Sequence, residues 1–117
     1  MPADSSVNTG IAGRYATALF ELARDQGTLD AVAQDLSDLA AMYDGSEDLQ
    51  RLLRSPVIGH HAQGRAIASV LERAEAQALT RNFVGVVAAN RRLFALRQVC
   101  TVFRALLAEH RGEIVAE

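Results

Sequence analysis

The sequence predicts an all-α fold, a six-helix antiparallel bundle. Three observations carry that prediction. Half of the 117 residues are apolar but only 5% are aromatic, so the core must be built from Leu, Val, Ile and many alanines. Alanine has the highest intrinsic helix propensity, and its small side chain lets helix backbones approach closely. Apolar positions recur at three- and four-residue spacing, the period of a helix with one buried face. Only two prolines are present, Pro2 and Pro56. The length suits one domain of ordinary size.

Residues 1–8 read as a frayed leader ahead of the first helix. That helix starts near Thr9 and stops before Gly27, where Gly27-Thr28 makes a break and Thr28 is placed to cap the next element. Helix two, from Leu29 to Tyr43, has the cleanest repeat: Leu29, Val32, Ala33, Leu36, Leu39, Ala40 and Tyr43 face one way, and Asp30, Asp35 and Asp38 lie off that arc. Gly45 is expected to end it in a left-handed conformation. Helix three is short. Ser46 suits its cap, Glu47 and Asp48 suit its first turn, and Leu49, Leu52 and Leu53 point inward. Pro56 drives Ser55 out of helical geometry and ends it.

Helix four runs from His60 or His61 to Ala74 on an apolar line of Ile67, Val70 and Leu71. Helix five begins near Ala78, with Thr80 too late to cap it cleanly, and ends near Asn90-Arg91-Arg92. Helix six begins about Leu96, with Leu96, Val99, Cys100, Phe103, Leu106, Leu107 and His110 on one face. Gly112 can stop or weaken it, whereas Ile114 and Val115 suggest continuation. The expected organisation is a leader over 1–8, a six-helix domain over 9–111, and the beginning of a linker over 112–117. The final phrase starts an apolar-polar pattern that either ends naturally or leads toward a second domain.

Composition and motifs argue against several function classes. Net charge is -2, and all twelve basic residues are arginines scattered among acids, so no basic stripe points to nucleic acid. Cys100 is the sole cysteine and lies on the apolar stripe of helix six, as a small buried hydrophobe would. His60-His61 has no Cys or Glu-x-x-His spacing beside it, and adjacent helical residues point ~100° apart, so a metal site is not expected. No glycine phosphate loop is present, and no cofactor is expected. Gly13 and Gly85 fall inside helices, through either close helix approach or tolerated weakness at an exposed turn. The carboxylates, Asp35 included, are assigned mainly to polar faces, without a paired acid and base. The N-terminus lacks the basic-then-apolar order of a signal peptide.

What stands out is surplus apolar surface. On helix one Ile11, Tyr15, Ala18 and Leu22 cluster within about 60° of one another. Ala12, Ala16, Leu19, Phe20 and Ala23 widen the arc, and Arg14, Thr17, Glu21 and Arg24 mark the wet side. On helix five Asn82, Val86 and Asn90 lie near one line, with Phe83, Val84 and Val87 on another. A one-sided helix needs an apolar stripe of only about 100°. Either both helices are central, or part of each arc forms a groove for a partner helix.

The phrase Tyr15-Ala16-Thr17-Ala18-Leu19-Phe20-Glu21-Leu22-Ala23 closely resembles the opening of the delta subunits of bacterial F-type ATP synthase, the counterparts of mitochondrial OSCP. The likeness continues through Leu53-Arg54-Ser55-Pro56, Asn82-Phe83 and Asn90-Arg91-Arg92-Leu93 to Ala108-Glu109-His110-Arg111-Gly112, so it covers essentially residues 9–117. The resemblance implies a non-catalytic stator component with no bound cofactor, metal or small-molecule substrate. It implies that the first and fifth helices receive the N-terminal helix of an alpha subunit. The positions this assigns are Ile11, Tyr15, Ala18, Leu22, Asn82, Val86 and Asn90. It further implies that b subunits of the peripheral stalk bind mainly through a C-terminal domain beyond these residues, and that the protein works at the cytoplasmic face of the bacterial inner membrane. A helical adaptor of another complex is the alternative. An apolar groove would bind with weak dependence on salt.

Overall fold

The structure, a computed structural model, describes residues 10–115. The leader and the Thr9 start lie outside the described residues. Six α-helices follow in order: α1 Ile11–Gln26, α2 Leu29–Asp44, α3 Glu47–Arg54, α4 His60–Arg73, α5 Ala78–Ala89 and α6 Leu96–Val115. A 3₁₀ turn, Leu93–Ala95, leads directly into α6. The helices pack antiparallel. The most extensive helix contacts are α1 on α6, α4 on α5, and α2 on α6. Gly112 lies within α6 and does not stop it.

The core follows the helical repeats. Ala16, Leu19 and Ala23 of α1, Val32, Leu36 and Leu39 of α2, and Val99, Val102 and Phe103 of α6 are all buried. Buried alanines on α1 let it lie close against α6, where Phe20 meets Phe103 edge-on with ring centroids 5.7 Å apart. Each such aliphatic or aromatic side chain contributes roughly 1.5–3 kcal/mol of hydrophobic free energy. Ile67 and Leu71 of α4 and Val84 and Val87 of α5 close the other side. At that contact a Cβ built on Gly64 would meet the Ala88 Cβ at 3.5 Å, so the close α4–α5 approach centres on Gly64. Gly13 is buried in α1, and Gly85 faces open space.

The helix ends depart from expectation in informative ways. Ser46 caps α3 as expected, its hydroxyl accepting from the Leu49 N–H at 3.1 Å. Thr28 does not cap α2; its hydroxyl turns back to the Ala23 carbonyl that also accepts the Thr28 N–H. Gly45 is not left-handed: its φ is -96° and its N–H still bonds the Ala41 carbonyl. Ser46 must be extended at once to cap α3, so α2 ends without a reversal. The left-handed ends are instead at Gly27, Glu75 and Arg91, with φ of 71°, 58° and 61°. At each, the next residue's N–H reaches back five residues, to Ala23, Leu71 and Val87, satisfying a carbonyl the helix leaves open.

Two polar side chains, half-buried Asp35 and buried Gln63, join distant elements. Asp35 is not simply on a polar face. One of its oxygens accepts the Thr80 hydroxyl at 2.7 Å and the Gln77 N–H at 2.8 Å, so α2 caps α5. Gln63 of α4 donates to the Leu52 and Ser55 carbonyls and closes the C-terminus of α3.

Candidate functional site: the seam between α1 and α5

Helices α1 and α5 touch through side chains while their backbones pack mainly on other partners. Tyr15 is the bridge. Its ring meets Phe83 edge-on, with centroids 6.0 Å apart and an interplanar angle of 77°. Its hydroxyl accepts a hydrogen bond from the Asn90 side-chain amide at 2.8 Å. Two aromatic rings set end to side act as a spacer.

The arc of α1 divides as its width suggested. Ala12, Ala16, Leu19, Phe20 and Ala23 turn into the core, whereas Ile11 and Tyr15 are half-buried and Ala18 is exposed. Leu22 is 48% exposed and Val86 of α5 is 53% exposed, both high for large apolar side chains. Asn82 and Asn90 are exposed, so neither amide is trapped without a partner. Ile11, Tyr15 and Ala18 line one depression of about 320 Å³. Asn90 joins them through Tyr15. Leu22, Asn82 and Val86 are accessible on the same two helices but lie outside that depression.

Arg14 and Arg92 complete its lining, and neither was assigned there from sequence. Arg14 is exposed, as its place on the wet side implies, and the wet side begins at the rim of this depression. Arg92 lies beyond the left-handed Arg91, and its direction depends on that turn, for which no local signal exists.

A second and larger depression, about 400 Å³, lies over α2 and α6. Its polar lining is self-satisfied. Three arginines seven residues apart on α6 meet three α2 residues seven apart in the opposite direction. Arg97 grips Asp44 with two bonds of 3.0 Å, Arg104 donates to Ser37 at 3.3 Å, and Arg111 pairs with Asp30. The Arg97 bonds hold the Asp44 carboxyl below its ordinary value of 3.8. Cys100, beneath this ladder, is buried, and burial pushes its thiol up to about 12, so it is no nucleophile at neutral pH.

The two histidines behave differently from the sequence reading. His60 and His61 do approach, with ring centroids 4.1 Å apart, because His60 opens its helix and has no preceding turn to restrict its rotamer. Partial desolvation, with Arg91 and His61 nearby, lowers the pKa of His60. Among the described residues no third potential metal ligand joins them. No described helix is long and apolar enough to cross a membrane.

Six antiparallel helices, with apolar side chains exposed on the first and the fifth, define an all-α bundle domain. The family model described as ATP synthase delta (OSCP) subunit matches residues 11–117, and the chain belongs to that family. Among its relatives, ATP synthase subunit delta of Rhodopseudomonas palustris (strain TIE-1) is 52% identical over 114 residues, which cover 97% of this chain and 61% of that protein. ATP synthase subunit delta of Parvibaculum lavamentivorans is 50% identical over 109 residues, 93% of this chain and 56% of the relative. The chain thus spans about three-fifths of the length of the curated relatives it matches. A chain in the cryo-EM structure of Polytomella F-ATP synthase, focussed on the F1 head and rotor, superposes with a TM-score of 0.78 at 25% identity. The match covers 88% of this chain and 90% of that one.

Proposed function

We propose that this domain is a non-catalytic part of the stator of an F-type ATP synthase and that the α1–α5 seam receives the N-terminal helix of an alpha subunit. The observation that supports this is the apolar line of half-buried Tyr15 and exposed Ala18, Leu22 and Val86 in a chain of the delta (OSCP) family. An amphipathic helix placed in such a trough gains affinity by drying its apolar face. The six-helix domain holds the catalytic head, and the b subunits are engaged mainly through a further domain beyond α6. Torque from the rotor is thereby resisted at the cytoplasmic face of the membrane, with no bond chemistry in this chain.

A contact of standard size buries about 1,600 Å², and nanomolar binding corresponds to about -12 kcal/mol. A few central anchors, Tyr15 foremost, would carry most of it. The test is Ala18→Asp, which sets an unpaired carboxylate where the partner must exclude water. Circular dichroism should show an unchanged bundle, because Ala18 is exposed. Titration with an alpha N-terminal peptide should show binding weakened about 100-fold, equivalent to roughly 3 kcal/mol. Equal affinity for both forms would refute the groove assignment. Recovery of a different stable partner in place of the alpha subunit would favour the adaptor reading.

A further inference from the structure

The α3–α4 turn and the residues that lead into α6 enclose a depression of about 520 Å³, within the range of roughly 300–1,000 Å³ typical of small-molecule sites. It shares no residue with the depression beside Tyr15: Arg92 lines that one, and Arg91 lines this one. Its charge is of one sign. Arg54 comes from the end of α3, His60 from the start of α4 and Arg91 from beyond α5, and no carboxylate is in the lining. Among the described residues neither Arg54 nor Arg91 forms an ion pair. The charged and titratable groups that act on His60 are Arg91 and its neighbour His61. The remaining wall is largely apolar, with Pro56, Ile58, Leu93 and Phe94. Phe94 is 56% exposed and Val57, in the same turn as Pro56 and Ile58, is 87% exposed. The turn is fixed from within. The Ser55 hydroxyl accepts the Val57 and Ile58 N–H groups at 3.1 and 3.4 Å, and Gln63 donates to the Ser55 carbonyl at 3.3 Å.

Arg91 is costly where it stands. Its φ of 61° is left-handed, a conformation that glycine adopts with least strain. Glycine would close the end of α5 equally well, but only a long basic side chain puts a cation into the depression. Guanidinium groups pair well with phosphate oxygens, and two of them beside an imidazole match a dianion better than a single carboxylate. We infer that this depression binds a small phosphate monoester, its phosphate on Arg54, Arg91 and His60 and its organic part against Ile58, Leu93 and Phe94. Unoccupied, the cationic surroundings and partial burial of His60 keep its imidazole neutral at pH 7. A bound phosphate reverses the local field and favours the imidazolium, which then donates to it. The site shares no residue with the α1–α5 seam and stands independently of the stator reading.

The test uses the 117-residue chain, ¹⁵N-labelled, at low salt, with phenyl phosphate as the probe. Saturable shifts should centre on Arg54, His60, Arg91 and Phe94. Phenyl phosphate should bind about tenfold more tightly than inorganic phosphate, because only the ester covers the apolar wall. The titration midpoint of the His60 imidazole should rise in the complex. Arg91→Gly separates binding from folding. It should unfold no more easily than the parent, since glycine relaxes the left-handed turn, yet bind the probe about tenfold more weakly. Arg54→Gln, at an exposed position, should weaken binding by a similar factor. Absence of a saturable shift up to about 10 mM overturns the proposal, as do shifts spread evenly over all the arginines, which is screening alone. So does equal affinity for inorganic phosphate, an unmoved His60 midpoint, or parental affinity in either variant. Binding to vesicles of phosphatidic acid and phosphatidylcholine in equal parts, without a response to phenyl phosphate, would make the depression a lipid contact and overturn it too.

Discussion

Two seams of this bundle have been finished differently. Over α2 and α6, arginines at heptad spacing reach across to Asp44, Ser37 and Asp30, so the side chains on the outside of that contact are engaged with one another. Between α1 and α5 a single described hydrogen bond crosses, from Asn90 to Tyr15, and large apolar groups beside it remain in solvent. The first seam meets its own needs. The second leaves apolar side chains of both helices in solvent. Exposed apolar side chains scattered singly are ordinary, but an aligned set across two adjacent helices marks an interaction surface.

Four measurements would break or sharpen the contrast. The largest effect belongs to Phe83, the inner half of the spacer. Phe83→Ala should cost about 3 kcal/mol in chemical denaturation, because a buried aromatic is lost and the cavity lies under Tyr15. If the loss stays below about 1 kcal/mol, the rings do not set the helix separation. Next comes Asp35, which fixes the α5 wall of the open seam from α2 of the closed one. Asp35→Ala leaves the fully buried Thr80 hydroxyl and the Gln77 N–H without their shared acceptor and should cost about 2 kcal/mol. Amide exchange should accelerate first at the start of α5; uniform acceleration would mean that the cap has no local role.

The third concerns the middle rung of the ladder, the only one without a carboxylate. Ser37→Asp should give Arg104 an ionic partner and raise stability by about 0.5 kcal/mol at low salt, an increment that high salt removes. A decrease at low salt would show that repulsion among the α2 acids outweighs the new pair. The smallest effect is a titration. The Arg97 bonds depress the Asp44 pKa in the folded state, so their contribution is present above the unfolded value of 3.8 and is lost as pH falls through the lower folded value. In Arg97→Gln the Asp44 carboxyl resonance should titrate in the ordinary range. An unmoved midpoint would remove Arg97 as the cause.

The parts of this molecule that were legible in sequence are those written in short-range periodicity. The repeats of α2 and α6 predicted residues that are buried or half-buried, with Val102 of α6 the buried residue they missed, and Ser46 predicted a cap that forms three residues away. The divided arc of α1 was legible for the same reason: Ala16, Leu19 and Ala23 turn inward while Ala18 and Leu22 do not. What could not be read depends on long-range register. Asp35 looks like one more polar-face acid until α5 arrives 42 residues later with its open N–H. Gln63 likewise acquires its role only when α4 folds back over the end of α3. All seven expected groove residues are at least partly accessible, yet only Ile11, Tyr15 and Ala18 share one depression. Their registration with α5 is fixed by Tyr15 against Phe83, and the cationic rim follows from a backbone turn at Arg91. Neither leaves a local trace.

The bare position at Gly64 has a reach beyond its own contact. It gauges how near α5 can settle against α4, with room for one methyl group opposite Ala88. A Val or Leu there would shoulder α5 aside and change the calibre of the slot from behind. Under the proposed function, fit for an incoming rod is therefore tuned at a residue that the rod never meets.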